Sequence, residues 1–140
     1  MRDKGVIYEK AKQFSLQVIE QVRTLQQNGE FIISKQIFRS ATSIGANYSE
    51  ALGSESDNDF IHKLSISLKE IHETQYWLDL LKDGGFTDVN TYAVLYKGAE
   101  ELYKMISSSI LTVKQRQKTA SATHHSSLIN HNSPLTTHHS

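Results

Sequence analysis

The 140-residue chain contains no cysteine and only one proline, Pro134. The absence of cysteine excludes disulfides, thiol redox chemistry and thiolate zinc sites. Because the proline lies close to the C-terminus, no proline ring interrupts helix formation before it. The sequence also lacks the run of roughly 18 apolar residues that a membrane span requires, and its N-terminus lacks the apolar core of a signal peptide. We therefore expect a cytoplasmic protein with no membrane contact.

The formal net charge is zero, but charges of opposite sign occupy different parts of the chain. Residues 1–39 carry seven Lys/Arg and four Asp/Glu, whereas residues 50–101 carry four Lys/Arg and eleven Asp/Glu. Residues 102–118 carry four Lys/Arg and no acidic residue. A neutral chain is not, as a whole, an obvious binder of polyanions. The segregation leaves two interpretations open: solvated helix faces, or a basic end that binds an anionic partner.

Apolar residues recur at intervals of three and four in four stretches, which is the spacing of an amphipathic helix. These stretches cover residues 7–25, 37–51, 61–81 and 92–113. Ser34 and Asp57 are suited to cap the second and third helices, and the fourth helix is predicted to begin at Asp88. Glycine follows each of the first three stretches, where its conformational freedom suits a helix end.

Four such stripes joined by short turns predict antiparallel neighbours that cross at about 20°. We therefore predict an all-α fold, a single up-down-up-down four-helix bundle over residues 1–118. Residues 119–140 contain no Asp, Glu, Lys or Arg and consist mainly of Ser, Thr, His and Asn. Such a segment cannot bury enough apolar surface to offset its ordering entropy, so we predict a disordered tail.

Three patterns suggest a metal site, and each is incomplete or unspecific. His72-Glu73 resembles the start of a zinc-peptidase helix, but Tyr76 stands where the second histidine ligand belongs. The run from Asp59 to His62 is one aspartate-containing version of the Glu-x-x-His motif, which a di-iron bundle needs twice. Five of the seven histidines lie in the predicted tail. They could bind a divalent metal weakly, or they could simply belong to an unstructured polar segment. We expect no catalytic residue, cofactor, metal ligand or small-molecule substrate; a metal-carboxylate enzyme is an alternative.

The predicted second helix carries a polar stripe beside its apolar one. Its members step by four and three residues: Gln36, Ser40, Ser43, Asn47 and Glu50. The third helix has a polar set at similar spacing: Lys63, Ser67, Glu70 and Thr74. Gly45 costs about 1 kcal/mol relative to alanine in a helix interior, so close approach of another helix is expected to compensate. Two interpretations stay open: a solvated face, or a close-packed polar seam between these helices or between subunits.

Residues 36–51, with the sequence QIFRSATSIGANYSEA, resemble the signature of a bacterial family of four-helix-bundle proteins. These proteins are encoded in intervening sequences of 23S ribosomal RNA genes. The resemblance continues at Asp59-Phe60, at residues 68–74 and at Trp77-Leu78, and covers residues 5 to 117. It implies an up-down-up-down bundle that assembles into a homopentamer and has no known enzymatic activity. A related protein, the accessory variability determinant of diversity-generating retroelements, uses a basic surface to bind nucleic acid and its reverse transcriptase.

Individual residues of the signature are matched, and the resemblance implies that they serve packing or assembly. The matching residues are Arg39, Ser43, Ile44, Asn47 and Glu50. Together with the polar stripes, they predict a packing or assembly seam formed by Arg39, Ser43, Gly45, Asn47, Glu50 and Glu70.

We predict a non-enzymatic oligomeric bundle that serves as a scaffold for RNA, DNA or a nucleic-acid enzyme such as a reverse transcriptase. The predicted nucleic-acid contacts are Lys114, Arg116 and Lys118, at the C-terminal end of the fourth helix. An alternative role for these three cations is to complement the helix dipole. An alternative function is a protein-interaction adaptor, which binds a partner peptide in a groove between helices and binds no nucleic acid.

Overall fold

The computed structural model describes the backbone of residues 4–138 and the side chains of residues 4–124. It contains four helices: α1 (Gly5–Gln27), α2 (Ile32–Leu52), α3 (Asp57–Asp83) and α4 (Val89–His138). No strand occurs in the described backbone, so the predicted all-α fold with four helices is confirmed. The chain divides into two compact units, residues 1–108 and residues 109–140. The first unit holds α1 to α3 and the start of α4, and the second holds the rest of α4.

Within the first unit, the contacts between neighbouring helices run in opposite directions along the chain. Ser15 of α1 hydrogen-bonds the Ala41 carbonyl of α2, while the earlier Ala11 lies beside the later Gly45. The same inverse order holds for the other neighbouring helices. It relates α2 to α3 through Ser40–Thr74 and Ile44–Ser67, and α3 to α4 through Asp79–Tyr92 and His72–Tyr103. It relates α1 to α4 through Lys10–Glu101 and Phe14–Gly98. Each helix therefore packs antiparallel against two others around a shared core.

The core consists of the apolar stripes that helical spacing predicts. The fully buried large side chains of the first unit include Val18, Leu25, Ile37, Ile44, Leu64, Ile71, Leu78, Leu81, Leu102 and Ile106. The predicted positions Ile7, Ile61, Leu68, Gln75 and Tyr92 are only half-buried. In the described residues, no helix is both long and apolar enough to cross a membrane.

The N-terminus of α2 is capped by Glu30, and the prediction of Ser34 as the N-cap is wrong. The Glu30 carboxylate accepts hydrogen bonds from the backbone N–H groups of Ile32 at 3.0 Å, Ile33 at 3.2 Å and Ser34 at 2.7 Å. The hydroxyl of Ser34 donates to the Glu30 carbonyl at 2.9 Å and is buried. A negative charge that satisfies three otherwise unpaired N–H groups suits the positive end of a helix dipole.

The caps of α3 and α4 lie close to their predicted positions. The Ser56 hydroxyl accepts from the backbone N–H of Asp59 at 3.1 Å, so Ser56 is the N-cap of α3 and Asp57 is its first residue. The prediction of Asp57 as the cap is therefore wrong by one position. α4 begins at Val89, one residue after its predicted start, and Asp88 caps it: the Asp88 carboxylate accepts from the N–H and hydroxyl of Thr91 at 2.8 and 2.9 Å. These hydrogen bonds lower the pKa of Asp88.

The structure continues α4 past Lys118, whereas the composition of the following segment predicts disorder. Residues 119–124 are helical, and all six side chains are exposed. This stretch contains no glycine or proline, and extending an existing helix requires no new nucleus. The remainder of the predicted tail, residues 125–140, lies outside the residues whose side chains are described.

Candidate interaction surfaces

Three buried hydroxyl-bearing side chains join α2 to α3. Thr74 Oγ1 lies 2.9 Å from Ser40 Oγ, and the Ser67 hydroxyl donates to the Ile44 carbonyl at 2.9 Å. Ser40, Ser67 and Thr74 are all fully buried. Because a buried hydroxyl without a partner is costly, these contacts favour one register of the two helices over others. Part of the polar stripes is thus a close-packed seam between α2 and α3.

Charged side chains border this seam at the surface. Arg39 contacts the carboxylates of Glu70, at 3.5 Å, and of Glu73, and Glu50 lies 3.3 Å from Lys63. Burial raises the pKa of Glu70, Arg39 acts in the opposite direction, and the neighbouring Glu73 raises it further. Arg39, Glu50 and Glu70 therefore bridge α2 and α3 within one chain.

The other predicted seam residues face elsewhere. The Ser43 hydroxyl donates to the Arg39 carbonyl at 2.6 Å, and the Asn47 amide donates to the Ser43 carbonyl at 2.8 Å, so both bond within α2. Gly45 faces α1, where an added Cβ would lie 3.4 Å from the Cβ of Ala11. The close approach expected at this glycine is present, and its partner helix is α1 instead of α3. A role of these residues in assembly stays a prediction.

The three predicted nucleic-acid contacts lie on the exposed surface of the second unit. Lys114, Arg116 and Lys118 are all exposed. Residues four apart share a helix face and residues two apart do not, so Lys114 and Lys118 point one way and Arg116 another. Because α4 continues beyond Lys118, these cations are not in its last turn, and their interpretation as dipole partners is wrong. They form a cationic band around the helix, which we call the α4 band.

The residues of the incomplete metal motifs make other contacts. The His72 ring packs against Tyr103 with its centroid 4.9 Å away, and the His62 side chain is exposed. Among the side chains described, no group of three or more His, Asp or Glu residues could hold a metal ion. The metal-carboxylate alternative therefore gains no support from this part of the chain.

The adaptor alternative requires a groove between helices, and one lies between α1 and α4, a position that the sequence does not predict. Its volume is about 560 Å³, and its lining includes Val6, Gln13, Phe14 and Gly98. Gly98 permits close approach of the two helices, because a Cβ there would lie 3.1 Å from the Phe14 ring. An isolated glycine inside a helical pattern often has a packing reason, so Gly98 was the sequence feature that could have indicated this close approach of α1 and α4.

A row of aromatic rings lies between α3 and α4. Tyr92 and Tyr96 have ring centroids 5.4 Å apart, and a cavity of about 210 Å³ is lined by Tyr96, Tyr103 and His72 among others. The Tyr92 hydroxyl donates to Asp79 at 2.6 Å, and this hydrogen bond is the main reason that the pKa of Tyr92 rises to about 12. Tyr96 lies four residues after Tyr92 and seven before Tyr103, and residues at these spacings share one helix face. This spacing was the sequence feature that could have predicted the aromatic row.

The fold and these surfaces define an all-α helical bundle with a polar internal seam. The sequence model of the family described as 23S rRNA-intervening sequence protein matches residues 3–108. The chain belongs to this family. It is also similar to a protein of unknown function from the S23 ribosomal protein family of Bacteroides thetaiotaomicron, whose crystal structure was solved at 1.70 Å. The two chains are 40% identical, with a TM-score of 0.74 over 75% of this chain and 98% of that one. No curated protein matches the chain.

Proposed function

We propose that the protein is a non-enzymatic, self-associating helical bundle that binds nucleic acid, either alone or together with a nucleic-acid enzyme. The observation that carries this proposal is the charge of α4 beyond the acidic middle of the chain. Residues 102–124 contain Lys104 and the three cations of the α4 band, all exposed, and no acidic residue. A segment of one charge sign can attract phosphates locally even though the whole chain is neutral.

The description of the family as 23S rRNA-intervening sequence protein refers to the place where such proteins are encoded, so the proposed ligand class rests on the charge of α4. Electrostatic binding to nucleic acid strengthens with the number of phosphates that are neutralised. Three cations per chain form a small site, so repeated copies of the α4 band in one assembly would strengthen binding.

Exposed apolar side chains support self-association. Phe31 and Ile32 lie where α1 connects to α2, and Phe86 and Val89 lie where α3 connects to α4. In an antiparallel bundle these two connections lie at the same end, and Ile32 is 80% exposed. The resemblance of the sequence to the family implies a homopentamer. Light scattering should give the mass of an oligomer at micromolar concentration, and a monomer would remove the assembly from this proposal.

Nucleic-acid binding is tested by fluorescence anisotropy with labelled RNA and DNA, each single-stranded and duplex, at several salt concentrations. Replacing Lys114, Arg116 and Lys118 by glutamine should weaken binding. For duplex DNA, the slope of the logarithm of the binding constant against the logarithm of the salt concentration should become less steep by up to about 0.9 for each lost phosphate contact. The matched control replaces three exposed cations elsewhere by glutamine: Lys12, Arg23 and Lys35. A flat titration of the wild type at low salt, or equal effects of the two triple variants, would reject the α4 band as the binding site.

The groove between α1 and α4 favours a second function, a protein-interaction adaptor. Grooves of this kind accept the apolar face of an amphipathic helix, and exposed Val6 lies in the groove lining. On this view the protein captures a protein partner in the presence of nuclease, and Val6→Glu releases it. Loss of the captured partner on nuclease treatment would favour the nucleic-acid proposal.

A further inference from the structure

We propose that two copies of the chain associate through the exposed side of α1, with the two helices antiparallel around a two-fold axis at Leu16. Naming this surface deepens the self-association in the proposed function and rests on it. We call the surface the α1 stripe. It belongs to the first unit of the chain and consists of five exposed residues: Glu9, Lys12, Leu16, Glu20 and Arg23.

The α1 stripe lies on the outer side of α1, between the sides that face α2 and α4. Phe14 and Val18 of the same helix are buried in the core. Ser15 hydrogen-bonds α2, and Gln17 lines the groove toward α4. The stripe residues recur at intervals of three and four, so they share one helix face. At its centre, Leu16 is 57% exposed.

The charges of the stripe are arranged with opposite signs at equal distances from Leu16. Lys12 and Glu20 each lie four residues from it, and Glu9 and Arg23 each lie seven residues from it. These separations correspond to about 6 and 10 Å along the helix axis. In an antiparallel pair with a two-fold axis at Leu16, residues at equal distances from the axis face each other. Lys12 would therefore face Glu20 of the second copy, and Glu9 would face its Arg23.

This arrangement favours a second copy of the chain in one orientation. In a parallel two-fold pair each residue would face its own copy, so that all four charged positions would meet like charges. In the antiparallel pair all four positions meet opposite charges, and Leu16 meets its apolar copy at the centre. The stripe carries two charges of each sign, so as a whole it attracts neither a polyanion nor a polycation. The partner that it complements is the same stripe in reverse direction.

The charged side chains are available for such a contact. Among the described residues, Glu20 and Arg23 have no ion-pair partner. Lys12 lies 3.7 Å from Glu9, and both side chains are more than half exposed. Exposed ion pairs of this kind contribute little to stability. Lys12 and Glu9 can therefore exchange this local contact for contacts to a second copy at small cost.

The contact is expected to be weak and sensitive to salt. The stripe from Glu9 to Arg23 is about 21 Å long, and one helix face of this length is smaller than the roughly 800 Å² per partner of a standard interface. Exposed charges are also screened by salt. We therefore expect association at high protein concentration and low salt. Because a two-fold contact joins chains in pairs, it would double the mass of whatever assembly the other surfaces form.

Charge-reversal variants test the pairing directly. Lys12→Glu and Glu20→Lys should each lose the contact, because each places like charges opposite each other in both halves of the symmetric pair. An equal mixture of the two variants should recover it, since these positions then carry only negative charge in one chain and only positive charge in the other. The double variant Lys12→Glu/Glu20→Lys should also recover it. Positions 12 and 20 are about 12 Å apart along one helix, so recovery requires a contact between copies.

Light scattering and sedimentation velocity at low salt and increasing protein concentration give the mass of each sample. The wild type, the mixture and the double variant should reach twice the mass of either single variant. The matched controls are Lys35→Glu and Glu55→Lys, at exposed positions outside α1. Separately and mixed, they should keep the mass of the wild type. Circular dichroism and thermal melting confirm that each variant is folded before the masses are compared.

The outcomes separate the α1 contact from the proposed function. If the single variants keep the wild-type mass, if their mixture stays at half of it, or if the controls lose mass equally, the α1 contact is overturned. An oligomeric wild type would then leave the self-association in the proposed function standing, whereas a wild type that stays monomeric would reject both. Nucleic-acid binding is read from other variants. The triple variant with glutamine at positions 12, 23 and 35 should lose the α1 contact and still bind nucleic acid through the α4 band.

Discussion

Thr74 Oγ1 and Ser40 Oγ lie 2.9 Å apart in the fully buried interface between α2 and α3. Each hydroxyl also has a backbone partner on its own helix, the Glu70 carbonyl for Thr74 and the Ile37 carbonyl for Ser40. The pair is therefore satisfied in the native register, and the backbone contacts remain available if one partner is lost. Buried polar pairs of this kind are expected to fix register more than to add stability.

A double-mutant cycle at this pair measures that coupling. Because each hydroxyl keeps its backbone acceptor, Thr74→Val and Ser40→Ala should each lower the free energy of unfolding by about 1 kcal/mol. Together they should cost less than the sum, with a coupling energy of about 0.5–1.5 kcal/mol. Urea unfolding of the four proteins gives the value. Thr24→Val, at an exposed hydroxyl that bonds only within α1, is the control. Strict additivity would show that the two hydroxyls do not interact.

The carboxylate of Glu30 should be more important to stability than its position in a connecting segment suggests. Glu30→Ala leaves three backbone N–H groups at the start of α2 without their acceptor, and we expect a loss of about 1–2 kcal/mol. Glu30→Gln keeps one acceptor oxygen and should lose less. The control is Glu20→Ala, an exposed glutamate within α1. Equal urea midpoints for the alanine variants at positions 20 and 30 would contradict the capping role.

These examples show which parts of the fold a single sequence predicts. The apolar stripes predict the four helices because burial of a continuous face follows directly from a 3.6-residue period. Caps are less predictable, because Ser34 has the preferred side chain for an N-cap, whereas the helix begins two residues before it and Glu30 accepts from its first N–H groups. The choice between them depends on the path of the connecting chain, which the residue types do not specify.

The candidate surfaces also include parts that the residue pattern predicts and parts that depend on the tertiary structure. The two polar stripes left a solvated face and a seam as alternatives, and the contact between Ser40 and Thr74 shows that part of them is a seam between α2 and α3. The partner of Gly45 is not predictable, because a helix surface does not indicate which neighbour it meets, and the neighbour is α1. The aromatic row between α3 and α4 needs residues of two helices at once, so only the tertiary structure brings His72 to Tyr103.

Glu70 should make stability depend on pH in a direction unusual for a glutamate. Its folded-state pKa is raised, chiefly by burial, relative to about 4.3 in the unfolded chain. The stability that it contributes is therefore fully present below about pH 4.3 and is lost as pH rises through the folded-state pKa. Glu70→Gln lacks this loss, so its free energy of unfolding relative to the wild type should increase between pH 4 and pH 7. Urea titrations at several pH values measure the difference.

Asp88→Asn provides a control of opposite sign for this pH dependence. The pKa of Asp88 is lowered by its hydrogen bonds to Thr91, so its contribution is present above about pH 3.9, the unfolded value, and is lost as pH falls through the lower folded-state value. The asparagine variant should therefore be less stable than the wild type at pH 7, and the gap should close in acid. Parallel pH trends for the two variants would contradict the assignment at Glu70.

Gly45→Ala separates internal packing from assembly at the signature of α2. The added Cβ would lie 3.4 Å from the Cβ of Ala11, which is close to an ordinary van der Waals contact, and alanine gains up to about 1 kcal/mol of helix propensity over glycine. If Gly45 only packs against α1, the variant should unfold at the same or a higher urea concentration and keep the oligomeric mass of the wild type. If another subunit approaches the same glycine, the variant should stay folded by circular dichroism while light scattering shows smaller particles. Gly53→Ala, where the nearest atom is the Glu50 carbonyl at 3.7 Å, controls for a general effect of the added methyl group, because that position contacts no other helix.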